Sequence, residues 1–110
     1  MMKWTVVYTP KALKDYDSLD NSQQRQVLKA IGKVSANPLP QLQGGYGKPL
    51  GNQSTGKLAG CLKIKLRKLG IRIVYQLVTI KDTGNMTIII ISMRDDEKVY
   101  RLAVERLLRK

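Results

Sequence analysis

Residues 61–77 read Cys61-Leu-Lys-Ile-Lys-Leu-Arg-Lys-Leu-Gly-Ile-Arg-Ile-Val-Tyr-Gln-Leu77. Leu62, Ile64 and Leu66 alternate with Lys63, Lys65 and Arg67, the period of two that marks a strand with one buried face. After a break at Leu69-Gly70 the chain resumes as Ile71-Arg-Ile-Val-Tyr-Gln-Leu77, rich in β-branched and aromatic residues, so strands over 62–68 and 71–78 are predicted to form a hairpin. A loop of two or four residues keeps each face of the pair consistent. It places Arg67 opposite Arg72 and Lys65 opposite Val74, with Leu62, Ile64 and Leu66 on the same face as Ile73, Tyr75 and Leu77. A three-residue bulged loop instead turns Arg72 onto the apolar face. The even register gathers Lys63, Lys65, Arg67 and Arg72 on one open face. No Asp or Glu occurs between positions 21 and 81 to balance them. Like charges opposed across a hairpin are destabilising, so this face reads as an anion site rather than an ordinary solvated one.

The rest of the composition agrees. Twenty Lys and Arg against eight Asp and Glu leave a formal charge of +12, which points to a polyanion, with nucleic acid the usual one. A membrane is not expected: no apolar run approaches the ~20 residues of a span, and no long basic helix carries Trp or Phe. At 110 residues the chain suits one domain over 1–110, able to bury about two-thirds of its unfolded surface. Cys61 is the only cysteine and fits a reducing cytoplasm as a small strand hydrophobe. Histidine is absent, which removes His-based acid–base chemistry, a Ser-His-Asp triad and most zinc sites, and no metal or cofactor is expected.

Residues 4–8 read as a first strand, with Trp4 in the core. Pro10 opens a helix carrying Leu13, Tyr16 and Leu19. Asp20 or Asn21, with Gln23 or Gln24, caps a second helix whose stripe is Val27, Leu28, Ile31 and Val34, ended by Asn37-Pro38. Residues 38–60 hold three of four prolines and six of nine glycines and read as loop. Within them Gly51-Asn-Gln-Ser-Thr-Gly-Lys57-Leu58 imitates a phosphate-binding P-loop. Leu58 stands where Ser or Thr is needed, no hydrophobic strand precedes it, and a strand follows where a helix should. The P-loop reading fails on those grounds. A turn over 81–85 leads to a strand over 86–93. Its run Ile88 to Ile91, apolar at both parities, predicts a central strand buried on both faces. Asp95 or Asp96 then starts a last helix with Val99, Leu102, Ala103 and Leu107 inward and Arg106, Arg109 and Lys110 in its final turn. The order β-α-α-β-β-β-α predicts an α+β domain. Its sheet is mainly antiparallel and four-stranded, with two N-terminal helices packed on one face and a C-terminal helix.

That order resembles the RelE toxins of bacterial toxin–antitoxin pairs, within the wider RelE/ParE superfamily. The likeness is carried by Lys63-Ile-Lys65-Leu-Arg67, by Gly70-x-Arg72-x-Val74-Tyr75, and by Ile91-Ser92 leading into a helix with a tyrosine. Ala12-Leu13-Lys14, Lys48-Pro49-Leu50 and Ala103-Val-Glu-Arg-Leu107 extend it over most of the chain. The resemblance implies a metal-free endoribonuclease that cuts messenger RNA in the ribosomal A site, works in the cytoplasm and is silenced by an acidic antitoxin. Lys63 and Lys65 fall on the family's strand lysines. Arg67 and Arg72 fall on the arginines ending that strand and opening the next, Arg94 on the arginine after the last strand, and Tyr100 on the helix tyrosine.

The chemistry asks for the same types. A 2′-hydroxyl attacking its own 3′-phosphate needs a base, an acid for the leaving 5′-oxygen, and cations aimed at the transition state. Lysine is a poor base at its free pKa of about 10.4, and neighbouring cations lower it, which makes Lys65 the candidate base. Lys63, Arg67, Lys68 and Arg72 would hold RNA, with Arg94 stabilising charge and Tyr100 stacking on a base or orienting the hydroxyl. Plainer roles stay open: Tyr100 in packing, Arg94 paired with Asp96 or Glu97, Tyr75 in the core, Tyr46 as a loop aromatic. A ParE-like inhibitor of DNA gyrase and a non-catalytic basic RNA-binding protein are the competing functions.

Overall fold

The computed structural model describes residues 3–50 and 58–108. Its elements are β1 (Lys3–Tyr8), α1 (Pro10–Asp17), α2 (Asn21–Ser35), β2 (Cys61–Leu66), β3 (Ile71–Ile80), β4 (Thr83–Ser92) and α3 (Asp96–Leu108), with a short 3-10 turn at Gln41–Gln43. The predicted element order holds. The sheet runs β1-β4-β3-β2 and is mixed, because β1 lies parallel to β4 while the other pairs are antiparallel. The P-loop-like residues 51–57, and Arg109 and Lys110, lie outside the described residues.

The β2–β3 turn takes four residues, 67–70, and Gly70 closes it in the left-handed region at φ 67°. Leu66 therefore pairs with Ile71, Lys65 with Arg72 and Lys63 with Val74. The expected opposition of Arg67 to Arg72 and of Lys65 to Val74 is off by two residues. Because the slip is even, each face keeps its residues. Arg67 and Lys68, predicted to end the strand, leave it and stand exposed in the turn. What favours this turn is the apolar pair it creates, since Ile71 is fully buried and Leu66 packs on the same core.

Two cores flank the sheet. Leu62, Ile64, Ile73 and Tyr75 lie under Ala12 of α1 and Val27, Ile31 and Val34 of α2. Cys61, Val74, Ile89 and Ile90 lie against Val99, Tyr100, Ala103 and Leu107 of α3. The cation face is thus not open: α3 covers part of it. Simple alternation would send Ile88 and Ile90 the same way. A β-bulge intervenes, Val74 pairing with Ile90 and Tyr75 with Ile88, so Ile89 is the extra residue. Ile88 and Ile91 then face α1 and α2, while Ile89 and Ile90 face α3. The four-isoleucine run fills both cores from the centre of the sheet.

β1 stops pairing at Tyr8–Ile88, and the β4 groups beyond it need other partners. Thr9 supplies its N–H and its hydroxyl to the Ile88 carbonyl at 3.2 and 3.1 Å. Arg106 donates to the Ile89 carbonyl at 2.9 Å, and the Ile91 N–H donates to the Asp15 carboxylate at 3.0 Å. Arg106 and Asp15 also bind each other through two bonds of 2.6 and 3.0 Å. One ion pair therefore ties α1, β4 and α3 together.

Local signals mostly act as predicted. Thr9 caps α1 with Pro10 in its first turn, and Asp20 and Gln23 form a capping box on α2. Leu13 and Leu28, assigned inward, are each 47% exposed. Ala12 takes the buried place in α1 instead, one residue and about 100° round the helix from Leu13. The turn between β3 and β4 is only Lys81-Asp82, because β4 already begins at Thr83. Gly84 within β4 allows the partly buried Trp4 ring to lie across it; a Cβ there would sit 2.4 Å from Trp4 Cζ3. No helix among the described residues is long and apolar enough to cross a membrane.

Candidate active site

Alternation along β2 sends Lys63 and Lys65 to the α3 side, and the hairpin register sets Arg72 directly across from Lys65. The three side chains are 16%, 26% and 24% exposed, close enough to the core edge to be held yet reachable from solvent. The face does not lack a carboxylate, as its sequence suggested. Asp96, in the first turn of α3, reaches into it. Its Oδ2 lies 3.4 Å from Lys65 Nζ and 3.7 Å from Lys63 Nζ, and its Oδ1 accepts from Arg72 Nε. Partial burial pushes the Asp96 carboxyl up, but the Arg72 hydrogen bond and the charges of Lys63 and Lys65 outweigh it and hold the group below its ordinary value.

Tyr100 stands one turn further along α3. Its hydroxyl accepts from Lys63 Nζ at 2.8 Å, and the same ammonium lies 5.6 Å from the ring centre. The ring is buried in the second core, which leaves little face for stacking on a base. Its hydroxyl is the part offered to the site. An open groove runs past it, lined by Leu58, Asp96, Glu97, Arg101 and Val104.

Arg94 is exposed just before α3, and its guanidinium makes no hydrogen bond or ion pair with a described residue. Its backbone is engaged instead: the carbonyl accepts from Arg72 at 2.8 Å and the N–H donates to Ser92 Oγ at 3.1 Å. The plainer alternative for Arg94, pairing with Asp96 or Glu97, does not form, since Asp96 turns to the strands and Glu97 to Arg101 at 3.2 Å. Arg67 lines a shallow pocket at the hairpin end with Lys65 and Arg72, while Lys68 points outward from the same turn. Lys63, Lys65, Arg72 and Tyr100 are thus brought together, Arg67 lies beside Lys65 and Arg72, and the side chains of Lys68 and Arg94 are exposed without a contact to the group.

Sequence reasoning missed Asp96. A signal was present, because positions 96 and 100 are four apart on a helix and share a face. Placing Tyr100 over the lysines also places Asp96 there. Among the described residues no three His, Cys, Asp or Glu side chains are grouped to hold a metal ion.

Residues 6–100 match the family described as the ParE toxin of type II toxin–antitoxin systems, parDE. A RelE-like toxin protein of Escherichia coli is 32% identical over 109 residues, covering 96% of this chain and 99% of that one. The mRNA interferase toxin RelE of Escherichia coli strain K12 is 29% identical over 107 residues, covering 97% and 100%. A free-state structure of an Escherichia coli RelE double mutant superposes with a TM-score of 0.70 at 27% identity, over 96% of this chain and 98% of the other. The same mutant bound to a peptide of the antitoxin RelB gives 0.60 at 25% identity, over 93% and 95%. The chain belongs to this toxin family, among its RelE-like members.

Proposed function

We propose that the chain is a ribosome-dependent messenger-RNA endoribonuclease, cutting translated message in the A site and held in check by an acidic antitoxin. The observation that carries this reading is the convergence of Lys63, Lys65 and Arg72 beside the Tyr100 hydroxyl. Support comes from the relative named an mRNA interferase and from the RelE structure solved with an antitoxin peptide. A charge of +12 favours both an RNA substrate and an acidic partner, and a chain that meets ribosomes works in the cytoplasm.

In the reaction the 2′-oxygen bonds to the adjacent phosphorus and the bond from phosphorus to the 5′-oxygen breaks. The products are a 2′,3′-cyclic phosphate and a 5′-hydroxyl. Lys65 takes the proton of the 2′-hydroxyl, which Tyr100 orients. Lys63 and Arg72 hold the non-bridging oxygens, where charge grows in the transition state. Arg94 stabilises the leaving 5′-oxygen, which takes its proton from water at this exposed end of the site, and Arg67 and Lys68 hold the flanking RNA. Every role is filled without a metal.

The test adds purified chain to a defined translation system and maps the ends on the message. Cleavage only on ribosomes, unaffected by a chelator when ribosome integrity is controlled, is the expected result. The matching family is described by its ParE member, which favours one second reading: a gyrase inhibitor that cuts nothing. Intact message together with inhibited DNA supercoiling would select it.

A further inference from the structure

Three cations from two strands converge on one carboxylate that belongs to neither strand. One oxygen of Asp96 binds Arg72 and the other faces Lys63 and Lys65, the way two non-bridging oxygens of a phosphodiester would divide the same donors. Arg72 is spoken for twice, its Nε by Asp96 and a terminal nitrogen by the Arg94 carbonyl. A phosphate reaching these cations meets an anion already among them, and like charges so placed repel. The carboxylate is covalently tethered at the site, so it competes at a high effective concentration whatever the amount of free RNA. Glu97, the next residue, carries the same charge but turns away to Arg101, so the effect is local to Asp96.

We propose that Asp96 is a specificity-determining residue: in the free chain it occupies the phosphate position formed by Lys63, Lys65 and Arg72, and RNA enters only by displacing it. Dilute RNA is a weak competitor. RNA held in place by a larger assembly is a strong one, which rests on the ribosome-dependent reading above.

The experiment measures binding of a short RNA carrying a 2′-deoxyribose at the cut position, which cannot be cleaved, at fixed salt and without ribosomes. Wild type, Asp96→Asn and Glu97→Gln are compared, since the two variants remove the same charge. Asp96→Asn should bind at least about tenfold tighter than wild type, the scale of losing one charge-assisted contact, and Glu97→Gln should stay within about twofold. Equal affinity of the two variants, weaker binding by Asp96→Asn, or no binding by it would overturn the proposal. A second measurement needs no variant and covers the case in which Asp96→Asn misfolds. The Asp96 carboxyl carbon resonance of wild type should move along the RNA titration curve. Saturation with that resonance unmoved would also overturn it. Because no ribosome takes part, failure of ribosomal cleavage would strike the nuclease reading and leave this result intact.

Discussion

Lys63 and Tyr100 are joined twice: the ammonium donates to the phenol oxygen at 2.8 Å and lies 5.6 Å from the ring centre. The ring is 7% exposed and packs with Val99, Ala103 and Leu107, so one side chain serves both core and site. The two roles separate by substitution. Tyr100→Phe keeps the packing and should cost no more than about 1 kcal/mol in a thermal melt, while cleavage on ribosomes falls by about 10²-fold as the hydroxyl is lost. Tyr100→Ala should lose about 3–5 kcal/mol as well, the cost of a buried aromatic. Undiminished cleavage by Tyr100→Phe would assign the residue to packing alone.

Asp15 and Arg106 lie ninety-one positions apart and are about four-fifths buried, and both also satisfy backbone groups of β4 past the end of β1. Breaking such a pair leaves a charge and a carbonyl without partners. Arg106→Lys keeps the charge but cannot reproduce two bonds to the carboxylate and a third to the Ile89 carbonyl. It should lower stability by about 2–3 kcal/mol, or roughly 8–24 °C in the melting midpoint. A shift below 2 °C would show that α1 and α3 are held by their apolar contacts alone.

The elements were legible because their signals are local: alternation in β2, the capping box at Asp20, and the isoleucine run too apolar for an edge strand. The two-residue error in the hairpin register has a physical source. An even loop fixes which face each residue takes but not which residues oppose, and that was decided by burial of Leu66 with Ile71. Alternation could not foresee the bulge at Ile89, because it depends on which β3 residues pair across. The site was half legible for a related reason. Its cations lie on one hairpin and can be read from spacing, whereas Asp96 reaches them only through the packing of α3. Absence of acid from positions 21 to 81 described the sequence correctly and the surface wrongly.

Cys61 opens β2 at 3% exposure, and burial pushes its thiol up from 9.0 to about 11. That rise leaves about 100-fold less thiolate near pH 8 than in the unfolded chain, and access is restricted besides. Alkylation of the native protein should therefore be slower than in denaturant by more than about 100-fold. It should also keep accelerating as the pH rises toward 11. Rapid labelling at neutral pH would mean that β2 opens readily at that end.

Lys65→Ala and Arg72→Ala should both abolish most cleavage, but their effects on stability should differ. Mutual repulsion on the hairpin alone would make each removal neutral or slightly stabilising, of order 0.2–1 kcal/mol per opposed pair. Asp96 changes that balance unequally. Lys65 meets it at 3.4 Å, whereas Arg72 is hydrogen-bonded to it and to the Arg94 carbonyl, tying β3 to the start of α3. Lys65→Ala should stay within about 0.5 kcal/mol of the parent, and Arg72→Ala should lose about 1 kcal/mol, roughly 4–8 °C. Acid should narrow that gap. The Asp96 carboxyl is held below its ordinary 3.8, so its contribution is complete above that pH and disappears as the pH falls through the lower folded value. Without Arg72 the carboxyl is held less far down, and Arg72→Ala should lose less stability than the parent as the pH falls below 3.8. Melts across that range, run beside a translation-cleavage assay, decide the matter. Equal melting of the two variants at neutral pH would mean that Asp96 does not distinguish Arg72 from Lys65, and cleavage at the parent rate by either would remove that residue from the active site.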